Sequence, residues 1–183
     1  MALKSTIFKA ELQIADLDRN YYQTHALTIA RHPSETDERM MVRLLAFALY
    51  ANEALSFGKG LSSEEEPDLW AKDLTGAIDL WIEVGLPEER RVRRACGRAR
   101  QVVVVTYGGR VADMWWQQNK VALQRQDNLT IINLSPEDSS ALAALAARSM
   151  ALQCTLQEAE LWFIVDGENT RIAPEIRLAP PAR

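Results

Sequence analysis

Little in this sequence invites redox or zinc chemistry. It has two cysteines, Cys96 and Cys154, and two histidines, His25 and His32. The cysteines lie far apart in otherwise apolar patterns and match no metal-ligand spacing, which predicts buried free thiols and no disulfide. Cys96 sits in a basic helix, but at an apolar-facing position that suits an inert thiol better than a nucleophile. Neither histidine has a second histidine or a cysteine at ligand spacing, so both fit surface or structural roles. No window reaches the roughly 18 consecutive apolar residues that a spanning helix needs, and MALKSTIFKAELQIADLDRN has no apolar run after its lysine. The expectation is a cytoplasmic chain with no membrane contact. TYGGR has adjacent glycines between a strand and a helix but lacks both G-x-G-x-x-G and a G-K-S/T ending, so it makes a weak phosphate loop. Positive charge is not in excess either. The net charge of −4 denies the molecule a globally attractive field for nucleic acid and leaves only a local basic patch to bind phosphate.

What is present is the composition of one globular domain: 183 residues, 48% hydrophobic and 25% charged, enough to bury a sizeable core. There is no internal repeat, linker or heptad run, which predicts a single domain over residues 1–183 and a monomer. TIFKAELQIAD alternates apolar and polar residues, and residues 22–31 do so more weakly, predicting an antiparallel hairpin that turns at DLDRN. After His32-Pro33, Ser34 opens a helix with Glu35 and Asp37 in its first turn, expected to run to about Ser56 and to stop before FGKG. SSEEEPD reads as a solvated acidic loop. AIDLWIEVG is a strand. A helix from Pro87 to about Arg100 follows, then the β-branched strand QVVVVTY, the helix VADMWWQQNKVALQ, the strand NLTIINLS, and a helix capped by Ser135 with Pro136 at its first position. Residues 150–178 alternate around DGEN and predict a closing hairpin. The fold class is α/β (α+β): a mixed central sheet with flanking helices and antiparallel hairpins at both termini.

One strand carries an anomaly. Regular alternation puts Asp79, Trp81, Glu83 and Gly85 on one face and Ile78, Leu80, Ile82 and Val84 on the other. If both faces are covered, the two carboxylates need partners or a cation; if the first face meets water, they need nothing. On the preceding helix Glu38 shares a stripe with Met41, Leu45 and Ala48, either as a site acid or as a flank charge paired with Arg39 or Arg43. Residues 90–100 hold six arginines in eleven positions. Arg90, Arg94 and Arg98 recur every four residues to form a basic stripe with Arg91 beside it, while Val92, Ala95 and Ala99 mark the inner face. That stripe is either a phosphate-binding surface or a solvated face balanced by SSEEEPD and Glu88–Glu89. Trp115, Trp116, Gln117, Gln118 and Asn119 offer either a binding surface or a core pair of tryptophans with solvated amides.

ARHPSETDERMMVRLLAFALYA, GAIDLWIEVGLPEERR, TYGGRVADMWWQQN and the closing hairpin resemble the YaeQ family of bacterial proteins over nearly the whole chain. That resemblance implies a fold like the PD-(D/E)XK nuclease superfamily, a restriction-endonuclease-like core that binds a divalent cation through acids and hydrolyses phosphodiesters. It would make Glu38 the helix acid, Asp79 the strand aspartate and Glu83 the acid of the E-x-K element. Two departures stand out. The lysine position is Gly85, with Arg90, Arg91 or Gln118 as stand-ins. Moreover, Asp79 and Glu83 lie about 13 Å apart along a regular strand, too far to share one Mg²⁺ without a bulge. Superfamily members usually place the two acids on neighbouring strands.

Two functions follow. The first is a Mg²⁺-dependent phosphodiester hydrolase, with Mn²⁺ as substitute, in which Asp79, Glu83 and Glu38 hold the metal, Gln118 assists, Arg90, Arg91, Arg94 and Arg98 contact phosphates, and Trp115 or Trp116 stacks on a base. The second is a catalytically silent relative that binds nucleic acid or a protein partner through the same arginines and tryptophans. The three acids lean toward the first and the missing lysine toward the second.

Overall fold

The computed structural model describes residues 4–182. The chain forms two compact units, one comprising the chain up to Leu49 with Glu137–Pro174, the other Tyr50–Pro136 with the chain from Glu175 onward. Each is built around its own mixed sheet, so the fold is α+β with two sheets in place of the one central sheet expected.

In the first unit, β1 (Thr6–Asp16) and β2 (Tyr21–Arg31) form the predicted hairpin, pairing without a break from Thr6↔Arg31 to Asp16↔Tyr21. The tail supplies β8 (Ser149–Gln157), β9 (Glu160–Val165) and β10 (Glu168–Ile172), a three-stranded meander where the alternation suggested one hairpin. Its first turn uses Glu158 and Ala159, both with positive φ, which patterning alone did not disclose. Its second is the expected Asp-Gly turn. Pairing of β8 parallel to β1 joins the two ends of the chain in the order β10-β9-β8-β1-β2. Phe8, Ala10, Leu12 and Ile14 are buried on alternate positions of β1, as the pattern requires.

The first helix, α1 (Asp37–Tyr50), starts later and ends earlier than its sequence suggests, and it is buried continuously from Met40 to Ala48. That stretch includes Arg43, which is admitted to the interior by a bidentate pair with Glu35. Arg43 Nη2 donates to Glu35 Oε1 at 2.5 Å and Nε to Oε2 at 2.9 Å, while Arg39 Nη1 reaches Oε2 at 2.6 Å. Arg43 Nη2 also donates to the Ala30 carbonyl, so the pair ties β2 to α1 through the His-Pro turn. Arg39 and Arg43 thus serve Glu35. Glu38, half-buried, accepts a 3.4 Å hydrogen bond from Ser139 on α4 (Pro136–Ala143).

The second unit carries the strand order β11-β7-β6-β5-β4-β3. Its centre is parallel: β5 (Ile78–Val84), β6 (Ala99–Thr106) and β7 (Leu129–Asn133), joined by α2 (Glu89–Arg98) and α3 (Arg110–Leu123). The run Val102–Val105 is fully covered, as a continuous apolar strand demands. Antiparallel β4 (Leu69–Lys72) and β3 (Leu55–Phe57) extend one edge, and β11 (Glu175–Leu178) closes the other. β3 therefore replaces the expected helix end, a 3-10 turn at Gly60–Ser62 leads into the acidic loop, and β4 follows that loop directly. Nor does FGKG cap a helix. A Cβ on Gly58 would lie 2.2 Å from the Pro67 carbonyl oxygen, so glycine there lets the segment pass against Pro67–Asp68. Both thiols are free. Burial pushes Cys96 up to about 11 and Cys154 to about 12, with Asp127 and Asp16 adding to the respective shifts. No helix among the described residues is long and apolar enough to cross a membrane.

Removing the acid of the interior pair leaves a buried guanidinium without its counter-ion. Glu35→Ala is expected to lower unfolding free energy by about 3–5 kcal/mol, read by urea denaturation. A loss under about 1 kcal/mol would show that water or another group takes over from the carboxylate.

Candidate functional site

Glu83 stands near the C-terminal end of β5, where open α/β sheets leave a crevice beyond their parallel strands. Its carboxylate is buried, yet it is not alone there. β4 pairs Leu69 with Ile82, so the next residue outward, Asp68, stands across from Glu83 on the same face of the sheet. Asp68 is 2% exposed and Glu83 4%. Two carboxylates facing each other across neighbouring strands repel, and burial magnifies the cost.

Specific bonds offset it. Asp68 Oδ2 accepts the Val84 N–H at 2.8 Å, a bond that spans the two strands. Glu83 Oε1 accepts from Trp81 Nε1 at 2.9 Å and from Arg91 Nε at 2.7 Å. Arg91 then uses its remaining nitrogens on the carbonyls of Glu66, at 3.1 Å, and Glu64, at 3.3 Å. One guanidinium therefore joins the acid pair, α2 and the loop before β4. Burial and the charge of Asp68 nevertheless hold the Glu83 carboxyl above the usual range, against the opposite pull of Arg91 and Trp81.

The arginine helix presents the rest of the site. Arg93 pairs with Glu89, and Arg98 pairs with Glu65 while lying over the Trp81 ring at 5.1 Å. Arg90 and Arg94 are exposed, one turn apart, and hold no ion pair or hydrogen bond among the described residues. They line, with Arg91, Glu64 and Glu88, an opening of about 380 Å³. The first turn of α2 faces the same opening through Glu88, whose side chain makes no capping bond.

Of the other sequence candidates, Asp79, Glu38 and Trp115 have ion-pair or hydrogen-bond partners other than Asp68, Glu83 and Arg91. Asp79 forms an ion pair with Arg100 at 2.8 Å, near the opposite end of β5. A register shift falls beside it, since Ala71 faces Leu80 while Lys72 faces Ile78. This bulge breaks the alternation, and Ile78, not Asp79, joins Trp81 against the core. Glu38 belongs to the first unit. Trp115 is a core residue, 9% exposed, whose Nε1 donates to the Pro87 carbonyl at 2.8 Å. Trp116 is half-buried against the same core, and Gln118 is exposed on α3. Gly85, in the lysine position, has φ of +108°, a conformation that a lysine would adopt only under strain.

Asp68 escaped the sequence reading because it closes the string SSEEEPD and looks like one more solvated acid. The available signal was Pro67-Asp68 directly before the alternating LWAK, a strand start placed to oppose IEV.

Because the folded-state value of Glu83 is raised, its protonation supports the fold at low pH and that support disappears as pH rises through the folded pKa. Glu83→Gln is expected to become progressively more stable relative to the parent protein as pH rises from 4 to 8, measured by urea denaturation across that range. A stability difference that does not change with pH would show that Glu83 titrates as an ordinary carboxylate.

Comparison with known proteins agrees with this architecture. The family model described as YaeQ protein matches residues 1–174. The "Uncharacterized protein YaeQ" of Escherichia coli K12 is 47% identical over 172 residues, covering 94% of this chain and 95% of that protein. Its Salmonella typhi counterpart is 49% identical over the same shares. The crystal structure of YaeQ protein from Xanthomonas axonopodis pv. citri superposes with a TM-score of 0.93 at 49% identity, covering 96% of this chain and 99% of that one. The Pseudomonas syringae YaeQ structure gives 0.90 at 36% identity, with 96% and 97% covered. With a family model spanning almost the whole chain and relatives this similar end to end, the protein belongs to the YaeQ family.

Proposed function

We propose that this protein binds nucleic acid through the outer face of α2, as a member of the restriction-endonuclease-like class whose acid pair is Asp68–Glu83. The observation that carries the reading is the pair of exposed arginines, Arg90 and Arg94, which have no partner among the described residues and line an opening beside a satisfied Arg91. Guanidinium groups one turn apart suit successive backbone phosphates, and the first turn of α2 adds its positive dipole end. Glu64 and Glu88 at the same rim balance the local charge, so binding is short-ranged, moderate in affinity and sensitive to salt.

A second reading, divalent-metal-dependent phosphodiester hydrolysis, is favoured by the buried acids on neighbouring strands. The side chains as folded do not fit a resident Mg²⁺. Arg91 holds Glu83 Oε1, Val84 holds Asp68 Oδ2, and among the described residues no three His, Cys, Asp or Glu side chains are grouped to hold an ion.

Fluorescence anisotropy with a labelled oligonucleotide tests the first reading. Replacing Arg90 and Arg94 together by Ala should weaken binding and reduce the slope of log K against log salt by about 0.7 per lost contact on a single strand. An unchanged slope would remove α2 from the interface. Incubating the protein with plasmid and oligonucleotide in Mg²⁺ or Mn²⁺ should leave the strands intact, whereas cleavage abolished by Asp68→Asn would establish the hydrolase.

A further inference from the structure

We infer that Trp70 is the base-stacking platform of this surface, and that its ligand is a single-stranded nucleic acid. The inference rests on α2 as a phosphate-binding face and adds to it a strand type and an aromatic residue that the α3 tryptophans had seemed to supply.

The position follows from sheet register. Trp70 on β4 lies directly across from Trp81 on β5, on the same face as Asp68 and Glu83, which is the face that α2 covers. The two indoles meet edge to face, with centroids 6.1 Å apart and planes at 84°. Trp81 is buried at 2% exposure and topped by Arg98, while Trp70, closer to the sheet edge, is only partly buried. The ammonium of Lys72 lies 3.9 Å from the centroid of Trp70. Lys72 is exposed, so this cation covers the ring as a flexible arm that can swing to a phosphate and release the aromatic face.

A pair of rings thus lies between cations along one path. Arg90, Arg94 and Arg98 rise about 12 Å along α2. Arg98 reaches Trp81, Trp81 meets Trp70, and Trp70 meets Lys72. Positive charge for phosphates beside an aromatic face for bases is what a single strand needs, whereas a duplex keeps its base faces stacked and offers nothing to Trp70. The acids nearby do not close the path. Glu65 pairs with Arg98 at 3.7 Å from a side chain that is 77% exposed, a contact that a phosphate can replace. Asp73 and Asp79 are both occupied by Arg100.

The test measures anisotropy with a labelled thymidine strand, the same strand made abasic, its duplex with an adenine complement, and a uridine RNA of equal length. The unmodified protein should bind the thymidine strand more tightly than the abasic strand or the duplex. Trp70→Leu should weaken thymidine-strand binding about 5- to 150-fold, down to the abasic level, while barely changing abasic binding. Trp70→Phe, which keeps a ring, should retain most of the affinity. A matching loss with uridine RNA would extend the stacking role to RNA, and a loss confined to one sugar type would assign the ligand to that type. Equal binding of thymidine and abasic strands by the unmodified protein overturns the inference, as does an equal loss of both in Trp70→Leu. In either case a persistent effect of Arg90→Ala with Arg94→Ala keeps the phosphate-binding reading. No binding of any strand removes both.

Discussion

The guanidinium of Arg91 is the contact on which the candidate site depends. It is the cation nearest to a buried carboxylate that already suffers desolvation and the field of a second one, Asp68. Its two terminal nitrogens bind main-chain carbonyls of the loop that leads into β4, so the charge that neutralises Glu83 also holds the chain that delivers Asp68. The opposition of two acids is thus stabilised by an arginine that rigidifies both of their supports. A site built this way has its geometry set before any ligand arrives.

The glycines on either side of the cluster belong to the same arrangement. A side chain on Gly58 would strike the Pro67 carbonyl, and one on Gly60 would lie 2.5 Å from Asp68 Oδ1, so the chain before β4 approaches Asp68 only because these residues have no Cβ. Gly85, immediately after Glu83 and Val84, turns with positive φ and donates its N–H to the Val105 carbonyl, which keeps the end of β5 aligned with β6. Position 85 is therefore structurally committed to glycine.

Periodicity disclosed the elements whose burial is regular. The β1–β2 hairpin, the valine-rich β6, the helices α2 and α3 and the Asp-Gly turn of the tail all follow directly from alternation, apolar stripes and turn residues. The short strands β3 and β4 did not, because three or four residues carry too little pattern to stand out beside an acidic loop. The tail was legible as antiparallel, but its division into a meander and a separate β11 in the other sheet depends on which strands find each other, a long-range choice. Of the candidate site, Glu83 and the arginines were visible as a buried-looking carboxylate and a basic stripe. Asp68 and Trp70 were not.

The reason is the same in both cases. Local sequence determines which residues can be buried along a strand or helix, since that depends on periods of two and 3.6 residues, and so it determined the basic face of α2 and the apolar centre of the second sheet. It could not determine which residue stands opposite Glu83, because pairing register is fixed by contacts between segments and one bulge, at Asp79, is enough to reverse a face. Tertiary structure alone decided that Asp68 is the partner acid, that Arg91 binds Glu83 while Arg90 and Arg94 stay open, and that Trp70 lies beside Trp81 on the sheet face that α2 covers.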